Sequence, residues 1–113
     1  MRVVLLSTDL IVTSQLQGAA GRQGGQLVAV GCAADLRPAV AAQPTDIVLL
    51  DLSVAAVDVA ATVRQLEAIV PAPRIVAFGP HVHQQRLDAA REAGCDDVLS
   101  RGQLHAALDE VFQ

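Results

Sequence analysis

The segment Pro44-Thr45-Asp46-Ile47-Val48-Leu49-Leu50-Asp51-Leu52 decides the fold, because four consecutive apolar residues run directly into a carboxylate. A short continuous apolar run is typical of a strand covered on both faces, as in a parallel sheet. Similar runs occupy residues 3–6, 27–30 and 75–78, and a shorter run at 98–99 suits an edge strand. The sequence therefore predicts five strands.

Helical patterns lie between these runs. The first predicted helix covers about residues 10–21, and the fourth covers residues 84–93 and ends at Gly94, a residue suited to a left-handed helix end. The second covers residues 35–43 and is compatible with Pro38 only if that proline falls in the first turn.

The third and fifth helices are predicted from apolar stripes. The third is expected to begin at Ser53 as N-cap and to stop at Pro71, and its stripe consists of Val59, Val63, Leu66 and Val70. The fifth follows Gly102, and its buried face consists of Leu104, Leu108 and Val111.

The alternation of strands and helices predicts a doubly wound α/β fold, a three-layer sandwich with a five-stranded parallel sheet. The length of the chain favours the flavodoxin-like strand order 2-1-3-4-5 over a six-stranded dinucleotide-binding fold. We expect residues 1–113 to form a single domain, since we find no linker, repeat or low-complexity tract.

Composition excludes several classes of function. Hydrophobic residues make up 52% of the 113 residues, which is enough for one compact core. The only aromatic residues are Phe78 and Phe112, so a stacking platform for single-stranded nucleic acid is excluded. The net charge of −4, without a basic stripe, argues against nucleic-acid and membrane-surface binding.

Cysteine usage and hydropathy indicate a compartment. Cys32 and Cys95 are far apart and form no CxxC pair, so we expect small buried side chains in a reducing cytosol. The N-terminus does not have the pattern of a signal peptide, and no run approaches membrane-spanning length. The predicted location is the cytoplasm.

A ligand site in this fold is expected beyond the carboxyl ends of the strands, at the switch point between strands one and three. The residues that the pattern places there are Ser7, Thr8 and Asp9, residues 51–53, Gly79 and Pro80, and Ser100 and Arg101.

Two segments resemble response-regulator receiver domains. Residues 44–52, quoted above, resemble the strand that ends in the phosphoaccepting aspartate. The segment Ala93-Gly94-Cys95-Asp96-Asp97-Val98-Leu99-Ser100-Arg101 is similar to the stretch that leads to the receiver lysine. The resemblance covers essentially the whole chain and implies a receiver-like member of the CheY-like superfamily.

The resemblance assigns the pocket positions. It implies that Asp51 stands at the phosphoacceptor position and that Gly79 stands where receivers have a switch Thr or Ser. Ser7 and Thr8 fall on the acidic pair, with Asp9 one place later. The lysine position falls on Arg101, or on Ser100 if the register differs by one residue.

These departures predict a pocket without receiver chemistry. Mg²⁺ prefers carboxylate oxygens, and at most Asp9 and Asp51 remain to supply them. Gly79 has no side chain to bind a phosphoryl oxygen, and strand five carries Val98 and Leu99 where receivers often have an aromatic readout residue. Arg101 can instead pair with Asp51, which would mimic the charge balance of an activated pocket.

Several other residues have two interpretations. Asp9 is either a helix N-cap, which we favour, or a metal ligand. His81 and His83 form an HxH at the rim and, with Asp9 or Asp51, are weak candidates for a transition-metal site. Residues 21–25 are glycine-rich, but they follow a helix and so lack the context of a phosphate loop. Three further acids are expected to be solvated charges: Asp58, Asp96 and Asp97.

We expect a stand-alone, atypical receiver-like module that binds a protein partner without phosphorylation, is not an enzyme and needs no cofactor. The partner would be a sensor kinase or another signalling protein. The surface receivers use, around the fourth helix, fifth strand and fifth helix, is the expected contact face and a candidate homodimer surface; its candidate residues are Arg86, Arg91, His105 and Asp109. Two alternatives remain open: a working phosphoreceiver that needs Mg²⁺ and accepts phosphate on Asp51 from a histidine kinase, and a small-molecule or metal sensor.

Overall fold

The computed structural model describes residues 1–54 and 57–113, in which strands and helices alternate from the amino terminus. The strands are β1 (Arg2–Leu6), β2 (Gln26–Val30), β3 (Ile47–Asp51), β4 (Arg74–Gly79) and β5 (Asp97–Ser100). The helices are α1 (Leu10–Arg22), α2 (Ala33–Ala42), α3 (Val59–Glu67), α4 (Gln84–Ala93) and α5 (Arg101–Ala106), followed by a 3₁₀ turn at Glu110–Phe112. Among the described helices, none combines the length and apolar character that crossing a bilayer requires.

The five strands form one parallel sheet in the order β2-β1-β3-β4-β5, which confirms the predicted fold and strand order. Leu50 of β3 lies between Leu6 of β1 and Ala77 of β4, so the carboxyl ends of the central strands lie side by side. All of β3 is buried, whereas β5 is only partly buried, as expected of an edge strand. The other edge, β2, is also partly exposed, although its continuous apolar run predicted full coverage.

Alternate strand residues build two core layers, one on each face of the sheet. Helices α2, α3 and α4 cover one face, which includes Val4, Leu6, Val48, Leu50 and Ala77. Helix α1 and the C-terminal segment cover the other, which includes Val3, Leu5, Leu49, Val76 and Phe78. Each buried aliphatic side chain of this kind stabilises the fold by about 1.5–3 kcal/mol relative to exposure, and Phe78 is the only aromatic residue in the central strands.

The second and third helices differ from the prediction. Helix α2 begins at Ala33, so Pro38 lies in its second turn and not in its first. Because proline has no backbone N–H, one carbonyl of the preceding turn lacks its hydrogen-bond donor. The N-cap of α3 is Asp58, which accepts a hydrogen bond from the Ala61 amide, and not Ser53. Residues 55 and 56, which the prediction had placed in this helix, lie outside the described residues. Since α3 ends at Glu67, Val70 lies beyond its apolar stripe and is 91% exposed.

The fifth helix is shorter than predicted and begins earlier. Ser100 is its N-cap and forms a capping box with Gln103, so Gly102 lies inside the helix instead of preceding it. The helix ends at Ala106, and the separate 3₁₀ turn carries Val111 and Phe112 into the core. The early start matters for the site, because it makes Arg101 the first residue of α5.

Candidate functional site

Asp51 lies at the carboxyl end of β3, and its side chain is 1% exposed. Its Oδ2 atom accepts a hydrogen bond from the Ser7 hydroxyl at 2.8 Å, and its Oδ1 atom accepts one from the Ser53 backbone N–H at 2.9 Å. Ser7 is itself buried at the end of β1, the strand adjacent to β3. A buried carboxylate needs such donors, because burial without them costs several kcal/mol. Both oxygens of Asp51 are therefore engaged within the protein.

Arg101 is the cation of the site. Its Nη1 atom donates to Asp9 Oδ2 at 3.0 Å, and its Nη2 atom lies 3.4 Å from Asp51 Oδ2. The side chain is one third exposed, and its Nε atom is buried without a hydrogen-bond partner among the described residues. The planar guanidinium can face two carboxylates at once, which a lysine ammonium does less well. The Arg101 guanidinium thus connects the loop after β1 with the carboxyl end of β3.

The capping box of α5 determines which residue reaches the pocket. The Ser100 hydroxyl accepts from the Gln103 amide, and the Gln103 side chain accepts from the Ser100 amide, so Ser100 is used at the helix start. Arg101, one position later, contacts the two aspartates. Of the two registers that the sequence left open, the structure therefore has Arg101 and not Ser100 beside Asp51.

Asp9 caps α1, as favoured by the sequence. Its Oδ1 atom accepts from the Ile11 and Val12 amides at 2.9 and 3.1 Å, while its Oδ2 atom faces Arg101. The Val12 amide, the hydrogen bond from Arg101 and the Ile11 amide together hold the pKa of the Asp9 carboxyl below 3.8. Asp9 is thus both a helix cap and an ion-pair partner.

Two pocket positions carry no polar contact to Asp51. Thr8 is exposed, and no hydrogen bond connects it to Asp51 within the described chain. Gly79 is buried at the end of β4, and a Cβ atom at this position would lie 3.3 Å from the Cβ of Leu52. The side chains of Leu52 and Leu87 therefore fill the space around Gly79.

No protein-family model and no curated protein sequence matches the chain. Solved structures do match it over almost its full length. The receiver domain of the TMAO respiratory system response regulator TorR matches with a TM-score of 0.83 and 19% identity, covering 98% of this chain and 92% of that one. An atypical orphan response regulator with a phosphorylation-independent regulatory mechanism matches with a TM-score of 0.76 and 14% identity, covering 97% and 93%.

A third match is the receiver domain of the sensor histidine kinase PA1611 from Pseudomonas aeruginosa, with a magnesium ion in its active-site cleft. Its TM-score is 0.81 at 18% identity, and the match covers 99% of this chain and 93% of that one. This chain has the fold of a response-regulator receiver domain. At these identities the likeness establishes the receiver fold and not its chemistry.

The donor set of this receiver fold does not suit Mg²⁺. The ion takes oxygen ligands in near-octahedral geometry, and the pocket offers two carboxylates, Asp9 and Asp51. Both already face the Arg101 guanidinium, at 3.0 and 3.4 Å. A divalent cation between them would meet a positive charge.

Among the described residues, the histidines at the rim of the receiver fold are not joined by a third residue placed to hold a metal ion. His81 and His83 are exposed in the loop between β4 and α4. Within residues 1–54 and 57–113, no group of three or more His, Cys, Asp or Glu residues is placed to hold a metal ion. Asp9 and Asp51, the partners proposed for them, are paired with Arg101 instead.

The four candidate contact residues are exposed and make local contacts. Arg86 donates to the Leu52 carbonyl at 2.9 Å, and Asp109 pairs with Arg22 of α1 at 3.0 Å. His105 lines a groove between α1 and α5. Arg91 forms a local pair with Asp88 on α4. That these residues form a partner-binding face around α4, β5 and α5 stays a prediction.

Sequence reasoning missed several polar contacts in the receiver fold. The three acids expected to be solvated are exposed or partly exposed, but each also makes a contact that was missed: Asp58 caps α3, Asp96 accepts from the Ile75 amide and Asp97 pairs with Arg74. The hydrogen bond from Ser7 to Asp51 was also missed, although a serine that ends the strand next to β3 was a usable signal. Cys32 is exposed and Cys95 is partly buried, so the expectation of two buried thiols is wrong.

Proposed function

We propose that this chain is a receiver-like signalling module that binds a protein partner without phosphorylation of Asp51. The observation that carries the proposal is the placement of Arg101 between Asp9 and Asp51. The guanidinium supplies permanently the positive charge that receiver chemistry needs at this carboxylate. One guanidinium from within the chain thus offsets part of the negative charge of the two carboxylates.

The environment of Asp51 also opposes phosphoryl transfer. An attacking carboxylate oxygen has to approach a phosphorus atom in line with the leaving group. With the side chain 1% exposed, Oδ2 held by Ser7 and Oδ1 held by the Ser53 amide, neither oxygen is open to such an approach. Breaking the Ser7 hydrogen bond to free Oδ2 would cost about 1–3 kcal/mol before any reaction begins.

The parts that would transmit a phosphoryl signal are also absent from their positions. Gly79 cannot donate to a phosphoryl oxygen, and Leu52 and Leu87 pack around it. Val98 and Leu99 occupy β5, so an aromatic readout residue is missing there. The phosphorylation-independent mechanism of the matched atypical orphan response regulator is a precedent for this proposal within the same fold.

As a working module, residues 1–113 would act in the cytoplasm through protein contacts, with a sensor kinase or another signalling protein as partner, and without a catalytic step. This assignment is supported by the receiver fold, because the solved structures that share it are signalling proteins or their domains. It does not depend on any one of the surface residues Arg86, Arg91, His105 and Asp109.

Intact-mass measurement after incubation with a small phosphodonor and Mg²⁺ tests the proposal. We expect no added phosphoryl group on the native chain under conditions that fully modify an active receiver domain run in parallel. Asp51→Asn serves as the control for modification elsewhere. A gain of one phosphoryl group on the native chain, absent in Asp51→Asn, would overturn the proposal and favour a working phosphoreceiver.

A variant with receiver-type residues restored in the pocket serves as the matched positive control for the phosphodonor experiment. The triple variant Ser7→Asp, Gly79→Thr, Arg101→Lys returns the acid, hydroxyl and ammonium types on which receiver chemistry depends. Because the Leu52 Cδ1 atom lies 3.8 Å from a Cβ at position 79, Leu52→Ala is added as a fourth substitution, which makes room for the outer atoms of the threonine side chain. A phosphodonor signal in this variant alone would locate the loss of chemistry in these positions.

A further inference from the structure

Strand β2 is an open edge of the sheet, and two hydrogen bonds show which of its backbone groups point outward. The Gln26 amide donates to the Met1 carbonyl, and the Ser7 amide donates to the Val30 carbonyl. Because alternate residues of a parallel strand bond the same neighbour, residues 26, 28 and 30 face β1. The N–H and C=O groups of Leu27 and Ala29 therefore point away from the sheet.

This edge lacks the features that usually keep strands from pairing with another chain. Natural edges carry charged side chains, prolines or bulges. The segment Gln26-Leu27-Val28-Ala29-Val30 has none of these, and its register with β1 is regular from end to end. The opposite edge is protected, because β5 begins with Asp97, which pairs with Arg74.

Charge depletion extends beyond the strand to helix α1 and to the first two residues of α2, after which α2 carries the exposed Asp35 and Arg37. Residues 10–34, which include all of α1 and β2 and the start of α2, contain one charged residue, Arg22, although 18% of the chain is charged. Arg22 points the other way, toward Asp109. Depletion of charge is the compositional mark of the core of a protein interface.

Helix α1 adds a neutral flank next to this edge. Gln15 and Arg22 face the C-terminal segment, since Gln15 lines a groove with Leu104 and Leu108. At 3.6 residues per turn, a separate exposed stripe lies farther from α5, on the side of β2: Leu10, Ser14, Gln17 and Gly21. Leu10 is 83% exposed and places an apolar side chain in this stripe.

We propose that two copies of this chain pair through β2 in antiparallel orientation, which joins their sheets into one continuous ten-stranded sheet. A second copy fits this edge better than another protein, because the edge has no charge with which to select a partner. Two identical copies that each carry a net charge of −4 would repel over most other surfaces, and this neutral side avoids that repulsion. The inference is independent of the phosphorylation state of Asp51.

The backbone of β2 is self-complementary about a twofold axis. With Val28 on the axis, Leu27 of one copy lies opposite Ala29 of the other. Each such pair exchanges two hydrogen bonds in an antiparallel ladder, so the two pairs form four. This arrangement is isologous and therefore closes as a dimer instead of growing into a filament.

Sedimentation equilibrium across a concentration series, with Ala29→Lys and Ala106→Lys, tests the proposal. Position 29 lies on the exposed edge, and position 106 is exposed on α5. We expect the native chain and Ala106→Lys to reach twice the 11.8 kDa chain mass. Ala29→Lys should raise the dissociation constant about tenfold or more, because the two lysines would lie diagonally across the pairing. A native chain that stays monomeric to about 1 mM, or equal weakening by both lysines, would overturn the proposal.

Covalent trapping supplies a second readout that does not depend on a charged variant. In a Cys32→Ser, Cys95→Ser background, Val28→Cys places two thiols on the twofold axis. Directly opposed residues of a non-hydrogen-bonded pair have Cα atoms about 4.5 Å apart, within disulfide range. Oxidation should yield a disulfide-linked dimer with Val28→Cys and not with Ala106→Cys. Cross-linking to the same extent in both would contradict pairing through β2.

Discussion

Ser7 donates its hydroxyl hydrogen bond to Oδ2 of Asp51 at 2.8 Å, and both side chains are buried. The bond joins the ends of two adjacent central strands and holds the carboxylate in a fixed orientation. Arg101 approaches the same oxygen from the start of α5 at 3.4 Å. The site is therefore a connected polar network in which the buried Arg101 Nε atom alone lacks a hydrogen-bond partner among the described residues, and each member can be removed separately.

Ser7→Ala should destabilise the fold by about 1–3 kcal/mol, because it removes the shorter of the two side-chain contacts to a buried carboxylate oxygen. Urea unfolding followed by circular dichroism measures the change. Ser53→Ala is the matched control, since Ser53 is exposed and bonds Asp51 through its backbone amide, while its hydroxyl only accepts a 3.5 Å contact from Arg101 Nη2. It should change stability by less than about 0.5 kcal/mol. Equal effects of the two substitutions would show that the Ser7 hydroxyl does not stabilise Asp51.

Arg101→Ala should cost more than about 1 kcal/mol, because it leaves the buried Asp51 charge without its cation. Arg64→Ala is the control, since Arg64 is exposed on α3 and forms no ion pair within the described residues. Chemical denaturation of both variants at neutral pH gives the comparison. No loss of stability in Arg101→Ala would mean that the guanidinium and Asp51 are not coupled.

Asp9 should make the fold sensitive to acid. Its pKa in the folded protein lies below 3.8 because the Val12 amide, Arg101 and the Ile11 amide favour the charged form. A lowered folded pKa contributes stability above the unfolded value, and this stability is lost as the pH falls through the folded pKa. Thermal unfolding between pH 7 and pH 2 should therefore show a smaller acid-induced loss in Asp9→Asn than in the native chain.

Carboxyl NMR titration checks the same prediction at the atom concerned. The Asp9 resonance should titrate below pH 3.8 in the native chain. Arg101→Gln should raise the pKa of the Asp9 carboxyl, but not to that of an unperturbed aspartate, since the Val12 and Ile11 amides remain. A native midpoint at or above 3.8 would contradict the described contacts.

The two thiols should differ in reactivity. Burial raises the pKa of the Cys95 thiol to about 11, and the Asp96 and Glu67 carboxylates add to the effect, whereas Cys32 is exposed. Because the thiolate is the nucleophile, iodoacetamide at pH 7.5 should modify Cys32 first. Intact mass over time should show one fast addition in the native chain and none in Cys32→Ser, with both sites reacting after unfolding in urea. Fast addition to Cys32→Ser in the folded state would overturn this assignment.

The fold could be predicted because its signal is local and repeated. Continuous apolar runs such as residues 47–50 indicate strands covered on both faces, and their alternation with helices leaves few topologies. Helix ends were less predictable where several residues could cap. Asp58 and not Ser53 begins α3, and Ser100 begins α5 where Gly102 was expected to precede it, because the loop geometry decides which side chain reaches the free amides.

The contents of the pocket follow from sequence only in part. The order of strands and the residues that end them placed Ser7, Asp9, Asp51, Gly79 and Arg101 at one edge of the sheet, since parallel strands share that edge. Which of them touch was decided by the tertiary structure. The capping box sets Arg101 instead of Ser100 beside the aspartates, and the side chains of Leu52 and Leu87 occupy the space around Gly79.

The sequence by itself determined that a buried strand ends at Asp51, because a continuous apolar run is local information, whereas the absence of phosphoreceiver neighbours stays a prediction from the resemblance. The tertiary structure alone decided that Ser7 and Arg101 both contact Oδ2 of Asp51 and that the Arg101 guanidinium also pairs with Asp9. The physical reason is distance along the chain. Residues 7, 9, 51 and 101 meet only when four crossovers pack onto the sheet, and hydrogen bonds act over about 3 Å.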